Sequence, residues 1–188
     1  MSKIDFRQYI IELDSVDSTN NYLKNNYHQL PNYTIVKAKH QTKGHGQFGR
    51  VWESNDNENL LLSILIKKEL PFVMRDANPI IISAILNLLD DLGVEGRFKY
   101  PNDIYVEDKK ISGILMETKY TGLDLEYLII GIGINVNQVE FENSNAISLK
   151  QILKSDLDID NIFKQLLKYL SNSIFLANLM YLVRMKEN

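Results

Sequence analysis

The chain has 188 residues, of which 45% are hydrophobic and 24% are charged, values ordinary for a soluble globular protein. This length suggests one domain that buries its core without disulfides or structural metals. A net charge of −3 argues against nucleic-acid binding, and the absence of cysteine excludes disulfides, thiolate metal sites and cysteine nucleophiles. Because no apolar stretch has the length of a membrane span or the form of a signal peptide, we expect a cytoplasmic protein.

Hydrophobic periodicity and turn residues predict an α+β fold, a mixed β-sheet with helices on one face. A long loop without apolar periodicity separates the second and third strands, and loops of this kind are usually functional or mobile. The predicted strands span residues 9–13, 33–39, 59–66, 97–100, 103–106, 110–119 and 125–134. The predicted helices span residues 20–27, 78–93, 148–153 and 159–174, and residues 175–188 form a helical or frayed tail.

The long loop contains a glycine-rich segment, residues 41–50 (QTKGHGQFGR). Its three glycines let backbone N–H groups approach an anion closely, and Lys43 and Arg50 add positive charge. The segment therefore suits a phosphate or a mixed anhydride, although the glycines alone fit a flexible surface loop equally well. It is not a Walker loop, because no Gly-Lys-Ser/Thr follows.

A second segment, residues 99–117 (KYPNDIYVEDKKISGILME), places lysines near a carboxylate. Strand alternation puts Lys99 near a turn where Asn102 and Asp103 also face inward, and Lys110 begins the strand that runs back alongside. A half-buried lysine beside a carboxylate suggests a site. On spacing alone, a solvated charged hairpin is the simpler interpretation.

Two further segments carry residues of the kind found in binding sites. Residues 131–137 (GIGINVN) place glycines inside a strand, which indicates close approach by a ligand, a β-bulge or tight helix packing. Residues 17–20 (DSTN) begin a helix, where helix capping is the simplest role for them in isolation.

Taken together and in this order, the four segments resemble the catalytic domain of biotin protein ligases, over about residues 9–170. The most specific part is residues 99–117, which is similar to the family's Lys-Trp-Pro-Asn-Asp signature and the strand after it. The resemblance implies the class II aminoacyl-tRNA synthetase-like fold of biotin and lipoate ligases. It also implies a two-step reaction, in which biotin and ATP give biotinyl-5′-AMP and a lysine of a biotin carboxyl carrier protein then takes the biotin.

The resemblance also implies roles for individual residues. Catalytic roles fall to Lys110, Lys99 and Arg50. Biotin binding falls to Ser18, Thr19, Asn20, Gln41, Gly44, His45, Gly46, Gly113, Leu115, Gly133 and Ile134. Nucleotide binding falls to Gln47, Trp52, Asn102 and Asn135, together with Lys110. Mg²⁺ is expected on the β- and γ-phosphates without a dedicated protein metal site, with Asn102 or Asp103 contributing through water. A homodimer is one oligomeric state that the resemblance allows.

The sequence departs from the family pattern at the glycine loop and at both ends. His45 and Gln47 replace two arginines that usually hold phosphate, and we hypothesise faster release of the adenylate and labelling of bystander lysines. Lys43 is an alternative source of the lost charge. We expect a catalytic domain at residues 1–174, with no DNA-binding domain before it and no complete SH3-like domain in residues 175–188. Two alternatives are a catalytically weakened biotin- or adenylate-binding module and a lipoate-type ligase.

Overall fold

A computed structural model describes residues 9–67 and 71–186, in which seven strands form one mixed sheet. The order across the sheet is β1-β2-β3-β7-β6-β5-β4, and only β1 and β2 are parallel to each other. The strands are β1 (Ile10–Val16), β2 (Ile35–Gln41), β3 (Asn59–Lys67), β4 (Gly96–Lys99), β5 (Asp103–Val106), β6 (Lys109–Thr121) and β7 (Asp124–Asn135).

Four α-helices accompany the sheet: α1 (Thr19–Asn26), α2 (Pro71–Asp91), α3 (Leu149–Leu153) and α4 (Ile159–Lys186). Helix α2 begins seven residues before the predicted start at residue 78, with a proline at its first position, where a missing N–H costs nothing. It is followed by Gly93 at φ +72°, the left-handed conformation that glycine adopts most easily at helix ends. No helix among the described residues has both the length and the apolar character needed to cross a membrane.

The main hydrophobic core lies between one face of the sheet and the two long helices. Alternate residues of β3 and β7 point into it, among them Leu62, Ile64, Ile130 and Ile132, because side chains of a strand alternate between faces. Strand β3 is mostly apolar because both of its faces are covered, and its polar residues Asn59 and Ser63 are buried as well.

The opposite face carries a smaller core against helix α1. Leu23 of α1 and Tyr27, which follows the helix, pack there on Leu65, Tyr127 and Ile129. The long helices thus lie on one face, as expected, while α1 covers part of the other. The prediction did not separate α1 from the other helices because a helix of two turns has few apolar positions to orient it.

Helix α4 continues across residue 174, where the sequence suggested a boundary. The predicted tail is therefore helical up to Lys186, and residues 187–188 lie outside the described residues.

Candidate active site

A cavity of about 680 Å³ opens on the α1 face of the sheet, a volume typical of small-molecule sites. Most of the residues that the sequence singled out line it, although they come from five separate parts of the chain. These residues are Ser18, Thr19, Asn20, Gln41, His45, Gly46, Gln47, Arg50, Trp52, Lys99, Asn102, Lys110, Gly113, Leu115 and Gly133.

Three predicted residues lie elsewhere. Ile134 is fully buried in the core beneath the long helices, because Gly133 takes the cavity side of the strand and the next side chain must point away. Its predicted place in the biotin pocket is therefore corrected. Gly44 is buried behind the loop, where a Cβ atom would lie 2.7 Å from the Trp52 carbonyl oxygen. Asn135 is directed toward the Ile147 carbonyl, to which its Nδ2 donates at 3.0 Å.

One end of the cavity is a network of uncharged polar groups. The Gln41 Oε1 atom accepts a hydrogen bond from the Thr19 backbone N–H at 2.8 Å and lies 3.0 Å from the Thr19 hydroxyl oxygen. Ser63, fully buried on β3, lies 2.7 Å from the Thr19 hydroxyl and also bonds Asn20 Oδ1. This network fixes the side chains at the start of α1 before any ligand arrives.

The start of α1 does not use its serine as a cap. Ser18 occupies the N-cap position, but its side chain makes no capping hydrogen bond and lines the cavity instead. Burial raises the pKa of the neighbouring Asp17, but hydrogen bonds from Asn21 and the Ser18 N–H and the nearby Lys43 charge outweigh it and lower that pKa overall. Capping alone therefore does not account for residues 17–20.

The floor of the cavity consists of glycines on two paired strands. Gly113 of β6 lies opposite Gly133 of β7, and the Trp52 indole covers both. A Cβ atom at Gly133 would lie 2.5 Å from the indole ring, and one at Gly113 would lie 2.9 Å from it. Close approach of a flat group therefore requires glycine at both positions. The indole Nε1 is buried without a hydrogen-bond partner.

The other end of the cavity is cationic. Lys110 Nζ forms an ion pair with Asp103 Oδ1 at 2.7 Å, and both side chains are mostly buried. The same ammonium lies 5.3 Å from the Trp52 ring centroid, a cation–π distance. Lys99 Nζ lies 4.2 Å from the Tyr105 ring centroid and borders the same space. The lysine-beside-carboxylate interpretation thus holds for Lys110, whereas Lys109 beside it is exposed.

The glycine-rich loop folds back on itself at the cavity mouth. The Gly46 N–H donates to the Arg50 carbonyl at 2.7 Å, and a bridge joins His45 to Val51. A 3₁₀ turn at Gln47–Gly49 forms the tip, where Phe48 has φ +59° and is 93% exposed. The loop therefore borders the cavity, and its Arg50 side chain adds a cation to the cavity lining.

A second cavity of about 350 Å³ adjoins the first and shares Val51, Trp52, Lys110 and Asn143 with it. Asn135 and Asn143 line it, together with Glu53 and Phe141. Trp52 thus separates two compartments, a polar one beside α1 and one that faces Asn135. This arrangement suits a ligand with two parts joined near Lys110.

The sequence prediction of the site missed several cavity residues, of which Gly131 is one, and it also missed Ser63, which is buried outside the cavity lining. Gly131 faces the same side as Gly133 two residues later, and a Cβ there would collide with the Asn20 side chain. Strand alternation alone identifies it, since residues i and i+2 share a face. Ser63 has no such signal, because it is one polar residue within an otherwise apolar strand. Among the described residues, no group of three or more His, Asp or Glu is placed to hold a metal ion.

Comparison with known proteins places this arrangement in a family. Residues 12–135 match the biotin/lipoate A/B protein ligase family. The bifunctional ligase/repressor BirA of Bacillus subtilis is 33% identical over 128 residues, 67% of this chain and 39% of that protein, and BirA of Escherichia coli is 36% identical over 135 residues, 70% of this chain and 42% of that protein. This chain thus spans about two fifths of the length of these relatives.

The fold of this chain also matches solved structures of biotin protein ligases. The biotin protein ligase of Aquifex aeolicus, solved in complex with biotin and ATP, superposes with a TM-score of 0.73. It is 31% identical, and the match covers 91% of this chain and 72% of that one. The family match covers more than half of the chain, and the structural match covers most of both chains. This chain therefore belongs to the biotin/lipoate A/B protein ligase family.

Proposed function

We propose that this chain is the catalytic domain of an ATP-dependent biotin ligase, which makes biotinyl-5′-AMP and transfers biotin to a lysine of a biotin carboxyl carrier protein. The observation that carries the proposal is the position of Lys110, between a polar compartment beside α1 and the compartment that faces Asn135. A relative that binds both biotin and ATP supports this assignment.

In the first step, a biotin carboxylate oxygen attacks the α-phosphorus of ATP, and the bond to pyrophosphate breaks. Two anions must meet, so their repulsion and the charge that develops on the phosphorus oxygens need a nearby cation. Lys110 is in place for this role, and its ion pair with Asp103 holds it there before substrates bind. Lys99 and Arg50 also line the cavity and add positive charge to it.

The polar compartment accounts for the other end of the acid. Thr19, Asn20 and Gln41 offer donors and acceptors in fixed directions, which suits a ring with a urea group better than an apolar ring. The glycine floor leaves room for the Trp52 indole against the strands, and the ligand lies along that ring. The adenylate then extends toward Asn135 and Asn143.

In the second step, the amine of the carrier lysine attacks the acyl carbon, the acyl–oxygen bond breaks and AMP leaves. The attacking neutral amine gives up one proton to water as the amide forms, and the cavity mouth must admit the lysine side chain. The glycine-rich loop borders that mouth. Its movement therefore controls both the entry of the carrier lysine and the loss of the adenylate.

Mg²⁺ belongs to the proposal as a companion of ATP. Hard cations prefer oxygen ligands, and the Asn102 side chain keeps its oxygen available because its Nδ2 donates to the Ile114 carbonyl. The Asp103 carboxylate is shared with Lys110. Asn102 and Asp103 could thus each contact the Mg²⁺ ion, directly or through water, while the phosphates supply most of its ligands. A cytoplasmic location, where the substrate ATP is present, is part of the same proposal.

A homodimer formed by abutting sheets is also part of the proposal. Such an interface needs an exposed strand edge. Strand β5 pairs with β6 only from Lys109 to Gly113, and among the described residues no strand pairs with the outer edge of β6 beyond Ile114. Sedimentation equilibrium tests this element: a monomer at micromolar concentration with biotin and ATP present would contradict it.

Biotin-dependent exchange of labelled pyrophosphate into ATP tests the proposed function. Exchange with biotin, and at least about a hundredfold less with lipoate or without an acid, is the expected result. Exchange that prefers lipoate would identify a lipoate-type ligase. Biotin binding measured by calorimetry without any exchange would identify a binding module instead.

A further inference from the structure

The polar network beneath the cavity includes a charged anchor that the proposed function does not use. Glu117 of β6 accepts a hydrogen bond from Asn20 Nδ2 at 2.7 Å with one carboxylate oxygen. With the other it forms an ion pair with Lys24 at 2.6 Å. Asn20 and Lys24 are four residues apart on α1 and so point to the same side. One carboxylate therefore fixes two side chains of the helix.

This contact decides which way the Asn20 amide points. A carboxylate only accepts hydrogen bonds, so the amide nitrogen must face Glu117. The amide oxygen then faces Ser63 and accepts its hydroxyl proton. At the other end of the network, the Thr19 backbone N–H donates to Gln41 Oε1 at 2.8 Å. The Gln41 side chain is therefore also oriented with its amide oxygen toward the network. Both ends of the network are therefore acceptors.

The network is consequently one proton short. It contains three oxygen–oxygen contacts, from Asn20 to Ser63, from Ser63 to Thr19 and from Thr19 to Gln41. Two hydroxyl groups supply only two protons for them. Ser63 is fully buried, whereas Thr19 and Gln41 line the cavity. Asn20 also lines the cavity, but its amide oxygen already accepts the Ser63 proton. The contact that lacks a proton and can receive one from a ligand is therefore the one between Thr19 and Gln41.

We propose that Glu117 is a positioning residue that sets ligand specificity: by fixing the Asn20 amide it leaves Thr19 and Gln41 as a pair of acceptors for a ligand N–H group. The class of ligand selected is a ring urea, whose N–H completes the network. A dithiolane ring has no N–H and leaves the two oxygens unpaired. This inference rests on the proposed function and deepens it.

Replacement of Glu117 by glutamine reverses the arrangement. With Lys24 present, the glutamine oxygen faces the ammonium and its NH₂ faces Asn20, which turns the Asn20 amide so that its nitrogen donates to Ser63. The network then has three protons for three contacts and needs none from a ligand. We expect the Kd of biotin to rise about tenfold or more, with the KM for ATP within about twofold of the parent value. The preference for biotin over lipoate falls by a similar factor.

Matched variants separate this effect from loosening of α1. Lys24→Met removes the same ion pair but leaves Asn20 bound to Glu117, so biotin affinity stays within about threefold of the parent protein. In the Glu117→Gln/Lys24→Met double variant the glutamine oxygen is free to accept from Asn20 again, and affinity returns toward the parent value. Ser63→Ala breaks the path, so adding Glu117→Gln to it has no further effect.

Biotin titrations followed by the fluorescence of Trp52, which is the one tryptophan in the chain, provide the readout, and circular dichroism checks folding. Unchanged biotin affinity in Glu117→Gln overturns the inference, as does an equal loss in Lys24→Met accompanied by a raised KM for ATP. If Glu117→Gln does not fold, Ser63→Ala with unchanged preference for biotin over lipoate overturns it instead. A parent protein that neither binds biotin nor exchanges pyrophosphate contradicts the proposed function itself.

Discussion

The two faces of strand β7 carry different kinds of side chain. Ile130 and Ile132 point into the core beneath the long helices, whereas Gly131 and Gly133 point into the cavity. The first pair contributes apolar burial, and the second leaves room for Asn20 and Trp52. The aliphatic side of this strand thus stabilises the fold, while its other side forms the site. Glycine destabilises a strand interior, but here it leaves space that the site needs. Substitutions on the two faces should therefore have separable effects.

The largest effect on stability is expected on the helix side. Ile130→Ala removes a side chain that is 1% exposed and should lower the free energy of unfolding by about 2–5 kcal/mol, because it leaves a cavity in a packed core. Urea denaturation measures the change. Leu123→Ala in the exposed turn between β6 and β7 is the control, and it should change stability by less than about 0.5 kcal/mol. A loss below about 1 kcal/mol for Ile130→Ala would contradict the assigned packing.

The largest effect on binding is expected on the cavity side. Gly133→Ala places a methyl group 2.5 Å from the Trp52 ring, so the indole must move and the compartments on either side of it change shape. We expect biotin affinity to fall about tenfold or more, with an altered Trp52 emission spectrum. Ile134→Val, one residue later, should leave the affinity within about twofold and cost about 0.5–1.5 kcal/mol of stability. Reversed outcomes for these two variants would show that the faces are wrongly assigned.

A smaller effect is expected from the loop over the cavity. His45 and Gln47 line the mouth, and replacing both by arginine adds two donors that pair with phosphate. Dissociation of the adenylate should slow by about three- to tenfold, and labelling of bystander lysines should decrease correspondingly. Thr42→Arg adds charge at an exposed position nearby and should have little effect. Equal retention of the adenylate by the parent and the double variant would contradict the hypothesis of a weakened loop.

The smallest effect concerns the far end of the cavity-side face, where the charges are structural. The ion pair with Lys119 and hydrogen bonds from Thr121 and Tyr27 lower the pKa of Glu126 from 4.5 to about 2. A lowered folded-state pKa stabilises the protein above the unfolded value, and this contribution is lost as pH falls toward 2. The stability difference between the parent and Glu126→Gln should therefore be present at pH 6 and disappear near pH 2. Chemical denaturation at several pH values measures it, and a difference independent of pH would contradict the assigned pairing.

The sequence predicted each strand and α-helix of the described fold from apolar periodicity, β-branched residues and helix-capping residues. The ends of α2 and α4 differed, since helix ends depend on capping and packing more than on periodicity. The order β3-β7-β6 could not be derived, because it depends on pairing between distant residues.

The site was predicted less evenly than the fold. Residues that lie near glycines or in motifs of the family were predicted and line the cavity, as Lys110 and Gln41 do. Ile134 was predicted on the cavity side of β7 because the prediction used the family motif. The alternation of side chains along the strand places it on the core side. Ser63 and Glu117 could not be found, since the hydrogen bonds that join them to Asn20 connect residues 43 and 97 positions apart in the sequence.

The most direct test of the central claim compares two adjacent lysines. Lys110 is paired with Asp103 at the junction of the two compartments, whereas Lys109 is exposed at the turn before it. Biotin-dependent pyrophosphate exchange should fall by about a hundredfold or more in Lys110→Met, since removal of one electrostatic stabiliser typically has that effect. It should stay within about twofold of the parent rate in Lys109→Met. Normal exchange by a folded Lys110→Met protein would contradict the account.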